Sequence, residues 1–129
     1  MTYAKKGPAK RCDVLFSRIV RSRGQCERCG LTDTPFQCAH IIRRRYAATR
    51  CLEDNAWCLC VPCHQLVDGN AGEFTDLVNR TIGRPRFDGL YSTAQGGPPG
   101  SYALFWRGEL QRLLARCDEL GVDARWRAA

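Results

Sequence analysis

Apolar positions recur at helical spacing in three separate stretches of the chain. Leu15, Phe16, Ile19 and Val20 form the first stripe. They predict a helix over residues 13–23, with Asp13 as its N-cap and Gly24 as its stop. Phe74, Leu77, Val78 and Ile82 form the second, predicting a helix from about Glu73 that ends at Gly83 and Pro85. Leu110, Leu113, Leu114, Cys117 and Leu120 form the third, predicting a helix over residues 103–120 whose first part is weakened by Gly108. Its apolar side packs either back on the domain or on a second copy.

Between the first two stripes the pattern changes. Residues 36–42, with bulk at Phe36, Cys38, Ile41 and Ile42, read as a short strand. Ala-Trp-Cys-Leu-Cys at 56–60 reads as the returning strand. A short helix is expected from Val61, with Pro62 in its first turn, where no N–H is needed, and Gly69 at its end. Residues 92–100, Ser-Thr-Ala-Gln-Gly-Gly-Pro-Pro-Gly, read as an unstructured connector. Few strands among several helices predict an α+β fold.

At 129 residues the chain fits one domain with a modest core. No apolar run approaches the roughly 18 residues that would span a bilayer. Residues 1–11 form a basic tail without an apolar stretch, so no secretory leader is expected, and a cytoplasmic setting is. Charge is uneven. Residues 1–50 hold twelve Lys/Arg against three Asp/Glu, whereas residues 51–129 hold eight against ten. A basic front half attracts polyanions, and nucleic acid is the commonest of these; a plainly solvated surface is the alternative.

Nine cysteines are many for this length. In a reducing compartment paired cysteines bind metal more often than they form disulfides. Cys26/Cys29 and Cys60/Cys63 are two Cys-x-x-Cys pairs, and Gly30 after the first tolerates the positive φ of a metal-binding turn. Four thiolates suit a closed, structural Zn²⁺ site. Two disulfides or buried free thiols are the alternatives. Cys58 competes with Cys60, since both would point the same way from a strand. Cys12, Cys38, Cys51 and Cys117 read as small hydrophobes.

The two histidines fall inside one constellation. His64 and Asp68, i and i+4 on the short helix, share a face and can grip a divalent cation. Alone they would read as a surface ion pair. His40 changes that reading, because it lies on the strand that a zinc-bound turn brings beside the helix. Imidazole is the side chain best suited to take a proton near neutral pH. A cation on one side of a phosphodiester and an imidazole on the other is the arrangement its hydrolysis needs. Arg43, Arg44, Arg45 and Arg50 follow His40, where contacts to DNA phosphates would give affinity without sequence choice; a solvated loop is the alternative.

His40, Asn55 and His64, with the Cys-x-x-Cys pairs around them, resemble the signature of the HNH endonucleases, the ββα-metal family. The similarity is greatest to small phage-type members such as the NinG-like recombination proteins. It rests on residues 13–74: the leading helix, the Cys26–Cys29 knuckle, Glu53-Asp54-Asn55, and the Cys60–Cys63 turn followed by Gly69-Asn70. The resemblance implies a ββα-metal (HNH) core stapled by a four-cysteine zinc knuckle, spanning residues 12–91. Residues 1–11 would be a tail, 92–100 a connector and 101–129 a C-terminal helix. It implies that His40 is the general base and that Asn55 holds the loop and orients His40, or contacts the metal. His64 and Asp68 would be ligands of a catalytic Mg²⁺, Mn²⁺ or Zn²⁺. Implied products carry 5′-phosphate and 3′-hydroxyl ends. The implied partner is duplex or branched DNA in a bacterial host cell, with no membrane; a phage protein or a second copy would dock on the C-terminal helix.

In one respect the chain departs from that pattern. Many relatives carry an Asp or His ligand immediately before the base, and here that position is Ala39. The third ligand is then Gln37, one pleat away on the same face, or Asn55, or water and substrate phosphate. A catalytically weakened zinc module that binds nucleic acid is the competing expectation.

Overall fold

The first helix, α1 (Pro8–Arg21), begins five residues before the expected Asp13. Gly7 is extended at its N-cap, and Pro8 occupies the first helical position, where its fixed φ starts a turn without loss of a hydrogen bond. In this computed structural model, which describes residues 7–125, part of the expected basic tail is therefore helical; residues 1–6 lie outside the described residues. Asp13 is not a cap. Its carboxylate lies along the helix and accepts hydrogen bonds from Arg44 and Arg50. The apolar stripe is buried as its spacing predicts.

Strands β1 (Phe36–His40) and β2 (Ala56–Cys60) pair antiparallel, with Phe36 opposite Cys60, Cys38 opposite Cys58 and His40 opposite Ala56. β2 matches expectation residue for residue. β1 stops two residues short, for a physical reason. Ile41 N–H still donates to the Asn55 carbonyl, but Ile42 N–H donates to the Asn55 side chain, at 2.7 Å, instead of to a ladder partner. The segment between the strands turns through two short 3₁₀ stretches, Ala47–Thr49 and Glu53–Asn55.

α2 (Val61–Gly69) starts with Pro62 in its first turn, as expected. α3 (Ala71–Arg80) follows at once because Asn70 caps it, its side chain accepting from the Glu73 N–H at 3.0 Å. Gly83 and Pro85, expected only to end a helix, also open another, α4 (Arg84–Gly96). Half of the expected 92–100 connector is thus helical. Its polar composition hid Ala94, which with Leu90 packs on Ile42. α5 (Tyr102–Leu120) is capped by Ser101 and ends at Gly121, whose φ of 69° lies in the left-handed region.

The sheet is covered on both faces, which is why every residue of β2 is buried. On one face, Cys12, Leu15, Phe16 and Ile19 of α1 pack with Ala56 and Cys58 of the sheet and with Trp106, Leu113 and Cys117 of α5. On the other, Ala39, Trp57 and Leu59 pack with Val67 of α2 and Leu77 and Val78 of α3. The stripe of α5 thus turns back on its own chain, although Leu120 is exposed. Among the described residues no helix is long and apolar enough to cross a membrane.

Candidate functional site

The sulfur cluster forms where the knuckle meets the start of α2. Gly30 adopts φ 82° and its N–H donates to the Cys26 carbonyl at 2.8 Å, closing the turn that presents Cys26 and Cys29. The knuckle is fastened to the outer edge of β2 through one residue. Glu27 N–H donates to the Cys58 carbonyl at 2.9 Å, and its carboxylate accepts from Cys58 N–H at 2.7 Å. This edge pairing carries the first Cys pair to the second.

The Sγ atoms of Cys26, Cys29, Cys60 and Cys63 all lie within 4.8 Å of one another, with Cys29 and Cys60 3.8 Å apart. A tetrahedral zinc with Zn–S bonds of about 2.3 Å has sulfur–sulfur edges of about 3.8 Å. The four residues therefore fit a structural metal such as zinc. Burial opposes ionisation of Cys26, but hydrogen bonds from the backbone of Cys29, Cys60 and Arg28 outweigh it and bring the thiol down to about 6. Arg28 reaches over the cluster from the knuckle to Cys63 Sγ at 3.5 Å and to Glu73 at 2.9 Å. Cys58 is not a competitor. It does not point with Cys60: its sulfur lies near the Arg21 carbonyl in the α1 cluster, while Cys60 stands at the N-cap of α2, where the strand has ended.

The second constellation is divided along β1: His64 lies by Gln37 at the sulfur end, and His40 stands at the opposite end. His40 packs its ring on Phe16, with centroids 5.5 Å apart, and Nε2 lies 2.9 Å from the Arg50 carbonyl. A carbonyl only accepts, so the proton is on Nε2 and the Nδ1 lone pair is left free. Burial holds the imidazole below its usual 6.5, against the opposing pull of the Arg50 carbonyl. His40 is therefore neutral at physiological pH.

Asn55 is fully buried, and its amide is consumed by the loop. Oδ1 accepts from Ile42 N–H; Nδ2 donates to the Ile42 carbonyl at 3.1 Å and the Thr49 carbonyl at 2.9 Å. It ties the two ends of the 42–49 segment together and fixes the residue before Arg50. With every polar atom so engaged, Asn55 is not a metal ligand in this structure.

His64 is held between two partners on its ring edges. Nδ1 lies 2.6 Å from Gln37 Oε1, and Nε2 lies 3.3 Å from Asp68 Oδ2. An amide oxygen only accepts, so Nδ1 carries a proton and Nε2 is turned toward the carboxylate. The pair fits a divalent cation in donor chemistry, and Gln37 is placed to orient His64 rather than to ligate. Ala39 is buried among apolar neighbours on the same face and supplies no donor. Among the described residues, Cys26, Cys29, Cys60 and Cys63 are the only set of three or more Cys, His, Asp or Glu side chains gathered for a metal.

His40, Arg43 and Asp68 line one open cleft of about 730 Å³ together with Asn70 and Thr75; His64 is not among its lining residues. Of the other arginines, Arg44 is paired with Asp13, and Arg45 stacks on Tyr46 and donates to its hydroxyl. Arg50 is turned inward onto Asp13 and Trp106 rather than toward a ligand. A second cleft of about 330 Å³ opens on the α1 side of His40, bordered by Lys10, Ser17, Arg21 and Arg44. Nothing in the residue pattern hinted at the Arg50 carbonyl or at Asp13, since a backbone acceptor leaves no residue-type signature. No family model, curated protein or solved structure matches the chain.

Proposed function

We propose that this protein is a metal-dependent endonuclease of the HNH type that hydrolyses DNA phosphodiester bonds, with the strand taken by the cleft that His40, Arg43 and Asp68 line. The resemblance to phage-type enzymes extends the proposal to phage or prophage DNA processing. The observation that carries it is the setting of His40: its Nε2 proton is committed to a carbonyl in a loop that Asn55 helps hold, burial keeps its imidazole below the usual 6.5, and the residue lines a cleft with Asp68 and Arg43.

In this reading His40 Nδ1 takes a proton from the attacking water, while Nε2–H stays on the Arg50 carbonyl and steadies the imidazolium that forms. Arg43, beside it in the cleft, binds a phosphate oxygen of the substrate backbone. His64 Nε2 and Asp68 hold a divalent cation, with Gln37 fixing the imidazole from behind. When bound there, such an ion supplies charge stabilisation for the phosphoryl and leaving oxygens. The sulfur cluster holds the start of α2, and with it His64, against the strand that carries His40.

The test is incubation of plasmid with Mg²⁺, Mn²⁺, Zn²⁺ or EDTA, beside His40→Ala. Nicking that needs a divalent ion and falls roughly 10²–10⁴-fold in the variant is expected. Equal activity in both proteins removes His40 from the chemistry. One observation favours a second reading: Ala39 leaves the cation with two protein donors, which suits a DNA-binding zinc module with weakened activity. Metal-independent DNA binding without any nicking is the result that selects it.

A further inference from the structure

Three consecutive backbone carbonyls are each taken by a side chain from a different element. The Thr49 carbonyl accepts from Asn55 Nδ2, the Arg50 carbonyl from His40 Nε2, and the Cys51 carbonyl from Arg112 Nη2, each at 2.9 Å. Arg112 is on α5, far along the chain. Its guanidinium is itself clamped by Glu109, one turn away, with Nε and Nη2 donating to the two carboxylate oxygens at 3.1 and 2.7 Å. The Arg50 side chain runs the other way. It grips Asp13 of α1 with both Nε and Nη2, and its guanidinium lies over the Trp106 ring of α5, 5.2 Å from the centroid.

The geometry has a direct consequence for the middle carbonyl. Each peptide unit is rigid, and the middle one turns only about the φ and ψ that join it to its neighbours, so holding those neighbours narrows the directions open to the Arg50 carbonyl. Asn55 holds the unit before and Arg112 the unit after, and Leu52 N–H, donating to the Thr49 carbonyl at 3.2 Å, links the two. Removal of either side-chain hold leaves that single backbone bond and widens the rotation open to the middle unit about its flanking φ and ψ. The Arg50 carbonyl would then leave His40 Nε2, and with it would go the reason for the proton to prefer that nitrogen.

We propose that Arg112 is a positioning residue for His40: its grip on the Cys51 carbonyl fixes the neighbouring oxygen that selects the Nε2–H tautomer. The C-terminal helix is thereby part of the site without touching it. The effect on cleavage rests on the nuclease reading above; the effect on the imidazole does not.

The experiment uses the full, zinc-loaded chain with ¹⁵N-labelled histidine and reads the imidazole ¹⁵N shifts at pH 8, with His40→Gln to assign the two rings. In the wild type His40 should be the Nε2-protonated form. Arg112→Met should give a mixture of tautomers, and Arg112→Lys, which keeps a donor, should restore the wild-type pattern in part. On plasmid, Arg112→Met should lower kcat roughly tenfold with little change in KM, since the loss is of orientation and not of binding. Arg116→Met is the control, because Arg116 ties the same helix to Glu53 without touching any of the three carbonyls.

A folded Arg112→Met with wild-type shifts overturns the proposal. So does an equal change in Arg116→Met, which would mean that any loosening of α5 has the same effect. If Arg112→Met does not fold, Arg112→Leu against Arg112→Lys makes the same comparison of no donor with a donor: a wild-type His40 in both sinks the proposal, and a difference between them supports it. Tautomer changes in a protein that cuts no DNA uphold the positioning role and remove the nuclease reading. Cleavage that needs His40, with shifts indifferent to Arg112, does the reverse.

Discussion

The two faces of the β1–β2 sheet are covered by different physical means. The α1–α5 face is apolar packing on a large scale, Leu15, Phe16 and Ile19 against Trp106, Leu113 and Cys117, with arginines latching the edges. The α2–α3 face has Trp57, Leu59, Leu77 and Val78, but its entry is a loop-rich knuckle gathered by four thiols. The first face can hold itself by area removed from water, at roughly 25 cal/mol per Å². On the second, four thiols gathered closely enough for a metal can share that task. His40 projects on the first side and Asp68 lies on the second, so the candidate site spans two halves stabilised in different ways.

Removal of the ion is the strongest way to separate them. A structural tetrathiolate zinc contributes on the order of 10 kcal/mol, comparable to the whole stability of a small domain. Chelation, or Cys60→Ser, should therefore abolish the cooperative thermal transition, and amide exchange should rise in α2 and α3 before α1 and α5. A melting curve indifferent to both treatments would mean that the four sulfurs hold no ion.

Asn55→Ala acts at the seam. It leaves the Ile42 N–H and the Ile42 carbonyl without partners in a buried place, while the Thr49 carbonyl keeps the Leu52 N–H, a loss of about 3 kcal/mol. Denaturant unfolding should show it, with cleavage lost beyond what instability explains because His40 loses its carbonyl. A change below about 1 kcal/mol would mean that water replaces the amide and the loop is not under its control.

Leu113→Ala tests the apolar face alone. Leu113 is fully buried, and its truncation should cost about 3 kcal/mol. Bound zinc, measured per chain in the folded protein, should stay at the wild-type value. Loss of the metal in the folded variant would show that the halves are not independent.

The smallest effect is in pH. Burial depresses His40 in the folded state below its usual 6.5. Above pH 6.5 the ring is neutral whether folded or unfolded. As pH falls from there through the folded value, the unfolded chain takes up the proton first, and stability is lost. The difference in unfolding free energy between wild type and His40→Gln should then shrink as pH is lowered below 6.5. The acid limb of the cleavage profile should likewise lie below 6.5, and a limb above it would contradict the buried, neutral imidazole.

Local pattern made much of this readable. β2 was legible as the unbroken apolar run Ala-Trp-Cys-Leu-Cys and α2 from Pro62 and Gly69, and the two Cys-x-x-Cys pairs foretold the sulfur cluster, because two-residue spacing forces both thiols to one side of a turn. The α1 boundary misled because Asp13 is a good cap by type, yet Gly7-Pro8 starts a helix as well and leaves Asp13 to the arginines. α4 was hidden by composition. Ser92 to Gly96 is weakly apolar, and only the burial of Leu90 and Ala94 on Ile42 gives the helix a reason to form.

By itself the sequence determined the residue types the candidate site is built from: the four thiols, two imidazoles, one carboxylate and one amide, some on periodic elements and others, such as Cys26, Cys29 and Asn55, on turns. Tertiary structure decided what those groups are for. That His64 is oriented by Gln37, that Asn55 is spent on backbone and that His40 meets the Arg50 carbonyl all depend on where main-chain polar atoms lie. Every residue but proline carries the same N–H and C=O, so only the folded path of the chain distinguishes one carbonyl from the next.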